Sequence, residues 1–328
     1  MHVISDGPAF IAWLALALAF IVLAKGADYF VDSAVAVAAR LHVPHLVIGI
    51  VLVSLATTTP ELAVSVTSAL AGRPEMALGN AVGSVICNCG LALALCGLFS
   101  KRPVPVANHV LRITGGTLLA VALLLFIFVR RDNTLTRGEG LILLAALGVY
   151  LGILFAQHRT GRRHDAFPLK DPHPPEPRPL LYHATVFAVA LAVIIVASRL
   201  IVVSAITIAH RLGIPDATIA LTLVALGTSI PEVATSITAA IKGHGELSVG
   251  NILGANIMNI CWVAGASAVA APLSLERRET LFIFPSMFIL VAVTLFVLHT
   301  GHRLSRREGA ILLALYIAYL AAFVALFT

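Results

Sequence analysis

The sequence predicts an all-α membrane protein of ten transmembrane helices, built as two five-helix repeats of inverted topology. Three observations carry that expectation. First, 59% of the 328 residues are hydrophobic and only 12% are charged, against about 25% charged in ordinary soluble domains. Second, windows of about 20 apolar residues, enough to cross a hydrocarbon core of about 30 Å, recur along the whole chain. Third, Thr57-Thr58-Thr59-Pro60-Glu61 returns as Thr228-Ser229-Ile230-Pro231-Glu232, at an offset of 171 residues. The same offset pairs Gly79-Asn80 with Gly250-Asn251, Gly83 with Gly254 and Asn88 with Asn259, and 18 of the 41 positions from Ile48 to Asn88 are identical to their partners. Chance similarity between apolar segments would match Leu, Val and Ala, not Pro, Glu, Asn and Gly in register.

Taken in order, the windows are residues 8–38, 43–71, 75–99, 107–129, 138–157, 181–209, 214–241, 246–271, 279–299 and 307–327, separated by polar breaks such as Arg73-Pro74-Glu75 and Glu276-Arg277-Arg278-Glu279. The first runs on through Lys25, Asp28 and Asp32 with no small-residue cleavage site, so it reads as a retained span and not a signal peptide. Residues 1–157 form the first repeat and 181–328 the second. Between them, 158–180 is a linker rich in Pro and Arg, and proline's fixed φ and missing donor favour an extended chain there. Five spans is an odd number, so the second repeat must enter the membrane upside down.

Orientation follows from the basic residues of the loops. With the N-terminus outside, thirteen Lys and Arg fall in cytoplasmic loops (among them Arg40, Lys101, Arg102, Lys242, Arg303, Arg306 and Arg307) and seven in outer loops. The positive-inside rule then places both termini outside. The net charge of +6 is mostly this loop bias, and neither a nucleic-acid nor a protein partner is implied. The lipid bilayer is the expected surrounding.

A carboxylate inside a span is costly and marks a pathway or binding site. Glu61 and Glu232 each directly follow a proline within spans two and seven. Proline leaves the carbonyl four residues back without its helical donor, here Ala56 and Gly227, and a broken helix is tolerated where the freed groups line a cavity. Thr57, Thr58, Thr228 and Ser229 add hydroxyls on the same turn. Carboxylate, hydroxyl and carbonyl oxygens suit hard cations such as Ca²⁺ and Na⁺, and the lack of thiolate or imidazole ligands argues against zinc and copper. The glycines at 79, 83, 250 and 254 have the four-residue spacing that lets helices approach closely. Such packing would bring Asn88, Asn259 and Ser84 beside the glutamates. The chemistry points to moving ions across a membrane, with no cofactor.

These two elements resemble the alpha repeats of the sodium/calcium exchanger family, within the cation/calcium exchanger superfamily. Gly227-Thr228-Ser229-Ile230-Pro231-Glu232 and Gly250-Asn251-Ile252-Leu253-Gly254-Ala255-Asn256 carry the likeness. The resemblance implies a prokaryotic inner-membrane antiporter with alternating access, in which spans one and six move against the core. It implies Glu61 and Glu232 as central Ca²⁺ ligands shared in alternation with Na⁺. Thr57, Thr58, Ser84, Thr228 and Ser229 would supply further ligands, Asn88 and Asn259 would line the centre, and the carbonyls of Ser54 and Ala225 would complete the outer sites. Three departures stand out: Ala56-Thr57-Thr58 where the family commonly has Gly-Thr-Ser, Ala255 opposite Ser84, and Asn259 where some relatives have Asp.

Simpler roles fit other residues. Lys25 and Asp28, three apart on a helix, read as a local ion pair. The four cysteines read as packing residues without disulfides or metal. No His-Glu-x-x-His run, paired aspartates or Ser–base arrangement lies within the spans, which argues against an intramembrane enzyme. A channel would more often ring its pore with several subunits. A carboxylate out of water favours its neutral form, so Ca²⁺/H⁺ exchange stands as the alternative coupling, and K⁺ is a further candidate ion.

Two carboxylates balance one Ca²⁺ or two Na⁺, and a third Na⁺ would add net charge in a medium of low dielectric. Ca²⁺ flux in exchange for Na⁺ is therefore expected to be independent of membrane potential. A steep dependence, measured in vesicles with a clamped K⁺ diffusion potential, would contradict the two-for-one balance.

Overall fold

The computed structural model describes residues 9–41, 45–106, 108–159, 178–212 and 225–327. The core of the expected linker, 160–177, and the opening of the expected seventh span, 213–224, lie outside the described residues. So do 8, 43–44 and 107, at the edges of other windows.

Helices dominate, as an apolar chain in lipid requires: an α-helix satisfies its backbone hydrogen bonds internally where no water is available. In order they are α1 (Ala9–Leu41), α2 (Gly49–Thr57), α3 (Thr59–Leu70), α4 (Pro74–Phe99), α5 (Leu111–Asp132), α6 (Arg137–Arg159), α7 (Leu180–Arg211), α8 (Ala225–Thr228), α9 (Ile230–Ile241), α10 (Gly245–Ala270), α11 (Arg277–Gly301) and α12 (Arg306–Phe327). Among the described residues eight helices are long and apolar enough to cross a membrane, nine when the bent pair α2–α3 counts as one span. The protein is therefore an integral membrane protein. Helix ends are marked where the sequence allows left-handed backbone. Gly72 (φ 73°) follows α3 and Gly243 (φ 89°) follows α9, while Asn133 (φ 58°) ends α5 and His302 (φ 48°) ends α11. Glycine and asparagine tolerate this conformation best.

The membrane fold is all-helical, as expected, and short strands appear only in its loops. Four two-residue strands occupy the loops: β1 (Val104–Pro105), β2 (Thr134–Leu135), β3 (Leu273–Ser274) and β4 (Arg303–Leu304). They pair antiparallel as β1–β4, with Val104 opposite Leu304, and as β2–β3, with Leu135 opposite Leu273. The two pairings are equivalent, because adding 169 to β1 gives β3 and adding 169 to β2 gives β4. Loop backbone near a membrane has few partners, and cross-pairing satisfies it. The pairs also tie early connections to late ones at two places, before and after α5.

Burial divides the helices. The apolar windows of α4 and α10 are 72% and 83% buried, whereas those of α1, α6, α7 and α12 are 17–33% buried. One hydrophobic cluster joins α4, α5, α6, α10, α11 and α12. A second joins α1 to α7 through Ala19, Leu23, Ala27, Phe30, Phe187, Ala190 and Ile194, and the Phe30 and Phe187 rings stack at 4.3 Å. The expected Lys25–Asp28 pair is replaced: Asp28 and Asp32 both face Lys242, just past α9, at 3.5 and 2.7 Å. An i,i+3 spacing brings two residues near each other but does not outbid a cation offered by a neighbouring helix.

Close approach at glycine is confined to part of the expected set. A Cβ on Gly254 would lie 2.5 Å from the Ile50 carbonyl oxygen, and one on Gly49 2.6 Å from that of Leu247. Thus α2 lies backbone to backbone on α10. Among the described residues nothing comes within 4 Å of a Cβ at Gly79 or Gly83, and the segment equivalent to the one packed on Gly254 lies in 219–224. Gly254→Val should overpack this seam and cost about 1–3 kcal/mol. A lowered melting temperature in detergent would register it, and an unchanged one would show the seam to be compliant.

Candidate cation site between the broken helices

Two helix breaks build the site. Thr58 (φ −82°, ψ 0°) separates α2 from α3 with a bend of 47°, and Ser229 (φ −86°, ψ 2°) separates α8 from α9. In both cases proline is the second residue of the new helix and glutamate the third. Proline has no N–H to donate to Ala56 or Gly227, so the chain restarts there as a fresh helix N-terminus. The partial positive charge of that terminus favours an anion in the first turn, which is where Glu61 and Glu232 sit.

Both glutamates are fully buried, as are Asn88 and Asn259. The two asparagines occupy equivalent positions at the starts of π-helical turns, Asn88–Ala92 in α4 and Asn259–Ala264 in α10. Such turns often mark functional sites. None of the four carboxylate oxygens and neither asparagine amide has a hydrogen-bond partner among the described residues. The two carboxylates lie within electrostatic reach of each other, with the Ser229 side chain toward Glu61 and the Thr57 side chain toward Glu232. Among the described residues no base pairs with either acid.

The hydroxyls are placed by reciprocal contacts between the two halves of the sequence. Thr57 Oγ1 donates to Asn251 Oδ1 (3.4 Å), and its counterpart Thr228 Oγ1 donates to Asn80 Oδ1 (3.0 Å). Asn80 Nδ2 then donates to Ser65 Oγ (2.9 Å), and Asn251 Nδ2 to Ser236 Oγ (2.8 Å). Ser229 Oγ donates to Ser84 Oγ at 3.2 Å, a contact with no counterpart because position 255 is alanine. Asn80, Asn251, Ser65 and Ser236 were absent from the residues singled out from the sequence, although all four match at the same offset. Their signal was the repeat itself, which does not say that an amide serves the opposite half.

The structure thus brings Glu61 and Glu232 within electrostatic reach of each other, near the Ser229 and Thr57 side chains, with Ser84 bonded to Ser229 and Thr228 to Asn80; Asn88 and Asn259 lie on turns packed against α9 and α3, the helices that carry Glu232 and Glu61. The Ser54 carbonyl differs from expectation. It already accepts the Thr58 amide (2.9 Å), the Thr58 hydroxyl (2.7 Å) and the Thr57 hydroxyl (3.4 Å), so Thr58 is turned back onto its own helix. Ala225 opens α8. A cavity of about 310 Å³ reaches the site from the side of α7, bounded by Pro60, Pro231, Thr228, Ile195, Arg199 and Val202.

Chemically, this is a cluster of hard oxygens out of water. An unpaired buried polar group costs about 1–3 kcal/mol and an unpaired buried charge several, so the cluster is stable only with something that attracts oxygen. Among the described residues no three His, Cys, Asp or Glu side chains converge, so the donor set resembles no resident transition-metal centre. A cation held loosely by carboxylates, amides and hydroxyls fits it.

The pattern defining the family described as "Sodium/calcium exchanger protein" matches residues 11–156 and 182–325. The chain is 34% identical over 319 residues to the putative antiporter CaxA of Alkalimonas amylolytica, covering 94% of this chain and 97% of that one. It is 31% identical over 341 residues to the sodium/calcium exchanger MaX1 of Methanosarcina acetivorans, covering 94% and 97%. Its fold is similar to that of the sodium-calcium exchanger NCX_Mj soaked with Na⁺ and Ca²⁺, with a TM-score of 0.79, 28% identity and coverage of 95% of this chain and 98% of that one.

Mutual repulsion of two buried carboxylates makes a thermal prediction. In Ca²⁺-free detergent Glu61→Gln should melt above the native chain. Ca²⁺ at a hundredfold excess over its Kd should stabilise only the native chain, by about 2.7 kcal/mol. Equal Ca²⁺ shifts in both would place the ion elsewhere.

Proposed function

The chain belongs to the sodium/calcium exchanger protein family, and from that premise we propose that it is a secondary active antiporter exchanging Ca²⁺ for Na⁺ at Glu61 and Glu232. The observation that carries this reading is two fully buried carboxylates within electrostatic reach of each other, with no hydrogen-bond partner among the described residues. Two negative charges held apart from any base attract one Ca²⁺ or two Na⁺. Asn88 and Asn259 each offer an uncharged oxygen, and Ser229, Ser84 and Thr57 complete the shell. Thr58, Thr228 and the carbonyls of Ser54 and Ala225 join when their present hydrogen bonds are exchanged for an ion.

Competition for one site is what couples the two fluxes. A site that is stable only when its charge is balanced crosses the membrane loaded and resists crossing empty, so each ion returns in exchange for the other. The moving part is the α1–α7 pair, which packs together in a cluster that also takes in Val53, Ala239 and Leu247, and whose α7 borders the cavity at Thr228. Repeats 1–157 and 181–328 are inverted relative to each other, joined by the linker 158–180, in a ten-span plan. Strand pairing supports this: β1 precedes α5 and pairs with β4, while its counterpart β3 pairs with β2, which follows α5. At 22 residues and about 1.5 Å per residue, α5 is long enough to put the counterparts on opposite faces. The loop charge bias supports both termini outside, and the prokaryotic relatives CaxA and MaX1 support a prokaryotic inner membrane.

Ca²⁺/H⁺ exchange is the second reading. It draws on the same mutual repulsion, since one proton can relieve two facing carboxylates, and on Asn259 in place of a third acid. Uptake of ⁴⁵Ca²⁺ into proteoliposomes under imposed Na⁺, K⁺ or H⁺ gradients separates the readings. Na⁺-driven uptake is expected. Glu61→Gln and Glu232→Gln should each abolish uptake in protein that still elutes as a folded species. Retained uptake in both would refute the site.

A further inference from the structure

We propose a second binding site, for a multiply charged phosphate group, at the end of the molecule where β1 meets β4. A cavity of about 460 Å³ is lined there by Lys101 and Arg102 from the α4–α5 connection, by Arg303 of β4, and by Arg306 and Arg307 from the start of α12. No acidic residue lines it. Among the described residues none of the five bases has an ion-pair partner. The nearby acid, Glu308, is turned instead to accept the Ser305 amide at 2.5 Å.

Three features separate this cluster from an ordinary basic loop. The bases come from connections far apart in sequence, yet are held together: Pro105 pairs with Arg303, Val106 N donates to His302 O at 2.7 Å, and Gly97 packs against the Ser305 carbonyl. Like charges fixed around one concavity repel, and loop charge bias accounts for their side of the membrane but not for their convergence. Moreover, Arg306 and Arg307 occupy the first turn of a 22-residue helix, where the macrodipole disfavours cations. The same helix end attracts an anion. An anion in the cavity would relieve both conflicts at once.

Phosphate fits the geometry best. Arginine forks grip phosphate oxygens in pairs of hydrogen bonds, and four of the five bases are arginine. The cavity lies at the ends of the membrane-spanning helices α4, α11 and α12, at headgroup level, where basic pockets hold anionic lipid headgroups. A soluble phosphate would use the same chemistry. This site is independent of the ion-exchange reading and is tested by binding alone.

The test uses the full chain in detergent micelles with two probes, radiolabelled phosphatidic acid and inorganic pyrophosphate, and phosphatidylcholine as the uncharged reference. R306Q/R307Q should weaken binding about fivefold per cation removed. R130Q/R131Q, the same charge change at the other end of α5, should not. E61Q should bind both probes as the native chain does, so loss of transport and loss of this site are distinguishable. Response to phosphatidic acid alone identifies a lipid headgroup, and response to pyrophosphate a soluble phosphate; either upholds the site. Binding of neither probe, or equal losses in both arginine variants, overturns it. K101Q/R102Q provides the same reading should the α12 variant fail to fold.

Discussion

Two buried carboxylates within electrostatic reach of each other, with no base beside them among the described residues, set the terms for everything around them. Burial and mutual repulsion both oppose this arrangement, so the fold must hold it by force of context. Each glutamate sits in the first turn of a helix restarted by proline, which supplies a favourable dipole. The helices carrying Asn88 and Asn259 are the most buried in the molecule, so the surrounding structure resists collapse onto the charges. Two nearby hydroxyls are engaged elsewhere, Thr228 by Asn80 and Thr58 by its own helix. The site is kept hungry by the same contacts that keep it rigid.

Much of this was legible in the sequence because the physics of membranes narrows the reading. Length and hydrophobicity give the helices, and Pro-Glu inside an apolar run gives the breaks and the acids. What was not legible depends on partners distant in sequence. The strands at Val104, Thr134, Leu273 and Leu304 are two residues long and carry no alternation to read. Asn80 and Asn251 appear in the repeat beside glycines and look like packing residues until their partners are seen. Asp28 has a plausible partner three residues away and a better one 214 positions on, at Lys242. Of the glycines expected to pack closely, Gly254 does so against Ile50, and the remaining pattern gives no way to tell which face of a helix meets its neighbour.

Two hydrophobic clusters, joined through a modest seam, give the molecule a division of labour. The larger holds the core helices and, through its strands, locks distant connections together. The smaller is built mainly by α1 and α7, whose surfaces are largely exposed, and takes in Val53, Ala239 and Leu247 from the core side. Lys242 bridges them from the core side with exposed carboxylates, an interaction that salt and water weaken readily. Such a contact registers the two parts without fusing them, in keeping with the movement proposed for this helix pair.

The crossed hydrogen bonds at Asn80 and Asn251 have an ancestral implication. Each amide steadies a hydroxyl belonging to the other half, so neither half alone contains a finished centre. Two copies of one primordial half, meeting about a twofold axis, would make the same bond twice. Fusion would then free the copies to diverge, but only in step, since a change at one amide is felt by a threonine encoded more than a hundred codons away. The serine at 84 and the alanine at 255 record where that joint obligation has already lapsed.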